Sequence, residues 1–296
     1  MNYILIALFS YAVLAVVNIL DKYLVTGFFN KPIPYAVFVT AMEAPILLVI
    51  PFNGLIVPKL PIMLLCFSIG ALFFAAVIPY CKAMSLEEPS RVTTLYQLVP
   101  LFVIVISVLF RQELLNTKSI FGFFFLLAGG IIISMRRING VFSWSKATLF
   151  ALWGSLMVAC IYVIEKYILR FMPVLDALVW MRLGGLGIVL CVLAVPKYRK
   201  DTFSLWKSLP KKDIGIFLSS ETLTLFGVSI NSFAVAAGAA SIVSVLSSFQ
   251  SVFVLIMAIF ISIWFPKILK EELTSSTIAL KIISIILITI GLWMVY

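Results

Sequence analysis

The 296-residue chain contains no histidine, and only 11% of its residues are charged, against roughly a quarter in an average soluble domain. Without histidine, and with Cys66, Cys81, Cys160 and Cys191 lying in or at the ends of apolar runs without C-x-x-C spacing, the usual zinc sites and a disulfide framework are excluded. No Gly-rich loop with a following lysine marks an ATP site, and no glycine elbow surrounds a serine, so neither a cofactor nor a metal is expected. What is abundant is hydrocarbon: 63% of residues are hydrophobic and the mean hydropathy is +1.19, the composition of a polytopic membrane protein. Basic residues outnumber acidic ones by 22 to 12, but they fall mostly in short connectors between apolar runs rather than on one stripe or tail. They read as topology determinants, not as a nucleic-acid surface.

At about 20 apolar residues per crossing, the pattern predicts ten helices, near residues 3–25, 33–53, 61–82, 90–110, 118–135, 146–168, 174–195, 213–235, 241–265 and 276–296. The expected fold is therefore an all-α membrane protein, with the lipid bilayer as its main partner. The first run carries no small-residue cleavage site and is expected to stay as the first span. In the longest connector, Phe203, Trp206 and Leu209 recur at helical spacing among Lys207, Lys211 and Lys212, which predicts a short amphipathic helix in the interface.

The ten spans read as five used twice. Asp21-Lys22-Tyr23 at the end of the first is echoed by Glu165-Lys166-Tyr167 at the end of the sixth, at an offset of 144 residues. Ala83 through Val92 is answered by Ala234 through Val243 at an offset of 151, and Gln112-Glu113-Leu114 by Glu271-Glu272-Leu273. The three echoes keep their order. An odd number of spans per repeat forces the halves, 1–140 and 141–296, into opposite orientations, which gives an inverted repeat of two five-helix units.

Two local patterns carry a resemblance. Lys82-Ala83-Met84-Ser85-Leu86-Glu87-Glu88-Pro89-Ser90-Arg91-Val92, followed by Gln97-Leu98-Val99-Pro100-Leu101-Phe102, is similar to the turn between helices three and four and the proline-containing fourth helix of the EamA-type drug/metabolite transporters. Phe110-Arg111-Gln112-Glu113-Leu114 is similar to that family's short turn before helix five, with Arg111-Gln112 where a glycine is usual, and Ile263 to Ile268 lengthens the matching turn of the second half. The resemblance covers essentially the whole chain. It implies export or exchange of small metabolites through a cavity between the halves of a multi-pass inner (plasma) membrane protein.

Polar residues inside the spans are the candidate site, because lipid is a poor place for them. Helix one offers Tyr11, Asn18 and Lys22. Thr93, Gln97 and Pro100 share a face of helix four, and the 151-residue offset maps them to Ser244, Ser248 and Ser251. Ser220, Thr224, Gly227 and Asn231 share a face of helix eight, with Glu221 beside them. Serines and small residues read first as helix-packing glue; for Gln97 and Asn231, packing and cavity lining stand level. Lys22 and Lys166 lie near helix ends, where a lysine can reach the interface.

Charges at depth are harder to explain as glue. Glu43, Arg182 and Glu221 each sit well inside a span, at an insertion cost of roughly 2.5–3.5 kcal/mol for an acid or arginine at the centre. Glu43 and Arg182 come from counterpart helices of the two halves and form either a cavity-lining pair or a structural ion pair. Pro45 cannot donate to the carbonyl of Ala41, so a weakened helix is expected beside Glu43.

These residues suit a small metabolite of amino-acid-like or zwitterionic character, with Glu43 and Glu221 as candidates for coupling to protons. Absent ATP chemistry, transport is secondary or facilitated. The alternative from another class is an intramembrane enzyme that uses Glu43 or Glu221 as acid or base, with Arg182 as its second group. Orientation sets two indicators against each other: the basic residues concentrate in the odd-numbered connectors, above all at Lys197, Arg199, Lys200, Lys207, Lys211 and Lys212, whereas the resemblance implies cytoplasmic termini. The charge distribution places both termini outside. A reporter pair fused after Tyr296 is accordingly expected to signal from outside the cell, and activity confined to the cytoplasm would reverse the orientation.

Overall fold

The computed structural model describes residues 3–27, 31–50, 54–109, 117–138, 141–237, 243, 246–264 and 274–295. The chain is helical almost throughout. In order come α1 (Tyr3–Gly27), α2 (Pro32–Ala41), a 3-10 helix (Ala44–Val49), α3 (Leu60–Leu86), α4 (Pro89–Tyr96), α5 (Val99–Leu109) and α6 (Thr117–Ser134). A two-stranded antiparallel ribbon of β1 (Met135–Ile138) and β2 (Val141–Trp144) leads to α7 (Lys146–Ile168), α8 (Val174–Ala194), α9 (Pro196–Ser208), α10 (Lys211–Ala237), α11 (Ser248–Trp264) and α12 (Ser275–Val295).

Five of these, α1, α3, α7, α8 and α10, are long and apolar enough to cross a membrane, and shorter apolar helices accompany them. The distribution of side chains is that of a bundle in lipid. Leu149 (73% exposed), Trp153, Leu190, Phe260 and Trp293 (67%) face outwards, whereas Ser10, Asn18, Thr40, Glu43, Gln97, Arg182 and Glu221 are buried. Hydrocarbon cannot accept hydrogen bonds, so polar side chains turn inwards and the backbone satisfies itself within helices.

Two of the expected spans are interrupted. Where one helix was predicted over 33–53, α2 stops at Ala41 and a 3-10 turn takes over at Ala44, with Met42 and Glu43 between them. Where one was predicted over 90–110, α4 stops at Tyr96 and α5 starts at Val99, across Gln97-Leu98. In both cases a proline lies within three residues of the break, at Pro45 and Pro100, and each lacks the N–H that would continue the preceding turn. The β-ribbon replaces a connector without expected structure. Its strands flank Asn139-Gly140, the pair most favoured in two-residue hairpin loops. The Glu113 and Glu272 echo, with Ser244, lies outside the described residues.

The amphipathic connector is α9, which packs on α2 and α8 and stacks Trp206 against Phe38 at 5.1 Å between ring centroids. Lys31, just ahead of α2, pairs with Asp201 of α9 at 2.6 Å and holds that carboxyl below its ordinary range. The pairing therefore contributes above the ordinary carboxylate pKa and is lost as pH falls through the lowered one.

Helices meet most closely at glycines. A Cβ on Gly70 of α3 would lie 2.1 Å from the Gly185 nitrogen and 2.4 Å from the Met181 carbonyl of α8, and a Cβ on Gly184 would lie 2.5 Å from the Phe67 Cα. Gly129 and Gly291 bring α6 and α12 together in the same manner. Such backbone-to-backbone approach supplies packing where lipid gives no hydrophobic drive. Because the obstructing atoms at Gly70 are backbone, Gly70→Ala is expected to cost at least the ~1–3 kcal/mol of an overpacked core. Gly187→Ala, with nothing within 4 Å of the new methyl, should leave the unfolding midpoint unchanged in the same detergent assay.

Candidate functional site

α1 is the spine of the site, because it touches elements from both ends of the chain. Ser10 Oγ donates to the Gly227 carbonyl of α10 at 2.9 Å, and the Tyr11 hydroxyl donates to the Val243 carbonyl at 3.0 Å. Two turns further on, Asn18 and Asp21 face α3. The Tyr80 hydroxyl lies 2.8 Å from Asp21 Oδ2 and 3.0 Å from Asn18 Oδ1, while the Tyr35 hydroxyl and Ser220 Oγ reach Asp21 Oδ1 at 3.1 and 3.2 Å. Asp21 thus gathers α1, α2, α3 and α10 around one buried carboxylate.

Beside this cluster a cavity opens in two adjoining lobes. One, of about 200 Å³, is lined by Tyr11, Asn18, Tyr80, Thr93, Tyr96, Gln97, Pro100, Tyr162, Ser247 and Gln250 among others. The second, of about 170 Å³, is lined by Asp21, Tyr35, Phe73, Tyr80, Tyr96, Glu221 and Thr224 with apolar neighbours. Asn18, Tyr80, Tyr96, Leu14 and Val158 belong to both lobes. Residues of α1 to α5 and of α7, α10 and α11 contribute, so both parts of the chain build the wall.

Several polar atoms of this wall are buried without a hydrogen-bond partner among the described residues: Asn18 Nδ2, the Tyr96 hydroxyl and Glu221 Oε2. Buried polar groups are normally satisfied, so these point to ligand or water. Gln97 sits in the break between α4 and α5 and exchanges two hydrogen bonds with Ser247, donating to its carbonyl at 2.9 Å and accepting from its hydroxyl at 2.8 Å. The break frees this side chain from a continuous helix and turns it across the cavity. Gly154 makes room for Tyr96; a Cβ there would stand 2.0 Å from the tyrosine hydroxyl.

Glu43 and Arg182 meet, at 2.9 Å between Oε2 and Nη1, with side chains only 3% and 5% exposed. They line neither lobe. Arg182 lies over the ring of Phe73 at 5.3 Å, and Phe73 is itself part of the cavity wall, so the pair stands one layer behind it. Glu43 Oε1 and Arg182 Nε have no further partner among the described residues. Asn231 is buried against Tyr11 and lines neither lobe, with its Nδ2 also without a partner among the described residues.

Lys22 turns away from the cavity and donates to the carbonyls of Met84 and Glu87 at 2.6 and 2.7 Å, closing the C-terminal end of α3. Lys166 does the same to α10 through the Val235 carbonyl at 3.1 Å. Both lysines place a positive charge where a helix leaves its last carbonyls unsatisfied.

Asp21, Tyr35 and Tyr80 were not singled out from the sequence. Along the sequence Asp21 stands out only as one letter of the acid-Lys-Tyr echo, and Tyr35 and Tyr80 are single residues in apolar runs. The signal that could have found them is spacing, since Asn18 and Asp21 stand three residues apart on one helical face.

No protein-family model matches the chain, and no curated protein matches it. A solved structure, described only as the crystal structure of a protein, is similar with a TM-score of 0.56 and 15% identity, over 98% of this chain and 94% of that one. The likeness concerns the fold alone, and it extends from end to end.

Breaking one side of the Glu43–Arg182 pair should leave an uncompensated buried charge, costing about 3–5 kcal/mol, whereas removing both partners should return most of that loss. Unfolding midpoints of Glu43→Gln, Arg182→Gln and the double variant check this. A double variant no more stable than either single one would show that the two side chains act separately.

Proposed function

We propose that this chain is a secondary or facilitative transporter that exports or exchanges a small polar metabolite, by alternating access, through the cavity that both halves of the chain line. The single observation that carries the reading is that cavity: a chamber with unpaired polar atoms inside a bundle whose outer surface is hydrocarbon. Such a chamber gives a polar solute a path that the bilayer denies it.

The proposed architecture is ten crossings in two inverted five-helix repeats, 1–140 and 141–296, in a plasma membrane. It is supported by the two lysines. Lys22 and Lys166 are 144 residues apart, and their acceptors Met84 and Val235 are 151 apart, so both repeat offsets meet in one pair of equivalent contacts. Helix contacts follow the same exchange. α1 packs on α10 as α7 packs on α3, α1 packs on α11 as α7 packs on α4 and α5, and α6 packs on α12, its own counterpart. This arrangement, with polar helix breaks at the centre, agrees with the EamA-type resemblance and with the general design of inverted-repeat carriers.

Comparing metabolites retained by cells with and without the protein would name the solute, and flux of that solute into vesicles reconstituted with the pure chain tests the mechanism. We expect saturable flux of a chemically unchanged solute, reduced tenfold or more by Asn18→Leu and by Gln97→Leu in folded protein. Appearance of a modified product would replace transport by intramembrane catalysis.

A further inference from the structure

We propose that the cavity takes a small organic ammonium cation, seated between Asp21 and Glu221 and enclosed by aromatic rings. This deepens the transport reading and rests on it for the route, but not for the binding.

Among the described residues, Asp21 and Glu221 are the charged residues of the cavity wall, and neither lobe is lined by a lysine or an arginine. The cations that could neutralise them are committed elsewhere. Arg182 is paired with Glu43 behind the wall, and Lys22 is turned onto the carbonyls that end α3. Nor do the neighbours help, because the charged group that Glu221 meets besides Asp21 is another carboxylate, Glu43. Two acids in one low-dielectric chamber repel each other and repel any anion brought between them. An amino-acid-like solute would have to place its own carboxylate there with no basic partner. The structure thus turns the choice from a zwitterion towards a cation.

Hydrogen-bonding capacity agrees. Asp21 already accepts from Tyr35, Tyr80 and Ser220, which uses three of the roughly four lone-pair positions of a carboxylate. Glu221 Oε2 is buried, on a residue 3% exposed, and accepts nothing among the described residues. An ammonium group has donors and no acceptor, so it completes both carboxylates and leaves no lone pair of its own unpaired. Around it stand the rings of Tyr35, Phe73, Tyr80 and Tyr96, and aromatic surface is where ammonium groups are drawn. At about 170 Å³ the acidic lobe suits a single amine head with a short apolar body, not a lipid.

The test is calorimetric binding to the purified full chain. The probes are 2-phenylethylammonium and tetramethylammonium as cations, 2-phenylethanol as the neutral analogue, phenylalanine as the zwitterion and 3-phenylpropionate as the anion. We expect 2-phenylethylammonium to bind at least tenfold more tightly than the neutral, zwitterionic and anionic probes, and Glu221→Gln to weaken it tenfold or more while gel filtration and the unfolding midpoint stay unchanged. Asp21→Asn should weaken it too, though loss of three hydrogen bonds can lower its stability, so the probe series on the natural chain decides if that variant fails to fold. Equal or tighter binding of phenylalanine or 3-phenylpropionate, unchanged cation affinity in folded Glu221→Gln, or failure of both cations to bind would each overturn the proposal. Cation binding without vesicle flux would end the transport reading alone, and flux of a zwitterion without cation binding would end this one alone.

Discussion

A buried polar group in this chain finds its partner in another part of the chain or at an internal cavity, because the outer surface of the bundle is hydrocarbon and offers neither donors nor acceptors. That constraint explains where the charges go. Lys22 and Lys166 close the ends of α3 and α10, Arg182 joins Glu43, and Ser232 donates to Glu165 at 2.7 Å. Carboxylates near helix starts are met from distant parts of the chain: Asp213 by the Tyr23 hydroxyl at 3.0 Å and Asp176 by the Ile56 N–H at 3.1 Å. The atoms that stay unpaired are therefore informative, and several of them, in Asn18, Tyr96 and Glu221, face one cavity.

The broken helices follow from the same accounting. A break in the middle of a lipid-facing helix exposes carbonyls to hydrocarbon, so it is tolerated only where the freed backbone lines protein or a chamber. At Gln97-Leu98 the break turns a side chain across the cavity to Ser247; at Met42-Glu43 it sets a carboxylate against Arg182 beside the glycine crossing of α3 and α8. Close backbone contact and a helix break are thus neighbours in the structure.

The ion pair and the acidic cluster divide the interior. Glu43 and Arg182 neutralise each other one layer behind the cavity wall and hold α8 against the break after α2. Asp21 and Glu221 stand at the wall itself, with tyrosines for company. Charges that look equivalent along the chain therefore have different surroundings: one pair joins opposite signs, the other sets two carboxylates at the wall of a cavity.

Much was legible in the residues alone. Composition and the spacing of apolar runs determine a helical membrane protein, since hydrocarbon admits few other backbones. Pro45 and Pro100 mark the breaks because proline has no N–H to give, and the acid-Lys-Tyr echo at an offset of 144 picks out Lys22 and Lys166, each of which donates to carbonyls at the end of another helix. Asn139-Gly140 carried a hairpin signal that helical expectations passed over. What the sequence could not decide is which polar residues share a space. Glu43, Glu221 and Asp21 are alike in kind and in apolar setting along the chain, and only the packing of α1, α2, α3, α8 and α10 separates the carboxylate that finds an arginine from the two that do not. That separation rests on contacts between residues as far as 199 positions apart, such as Asp21 with Ser220, and local periodicity carries no information at that range.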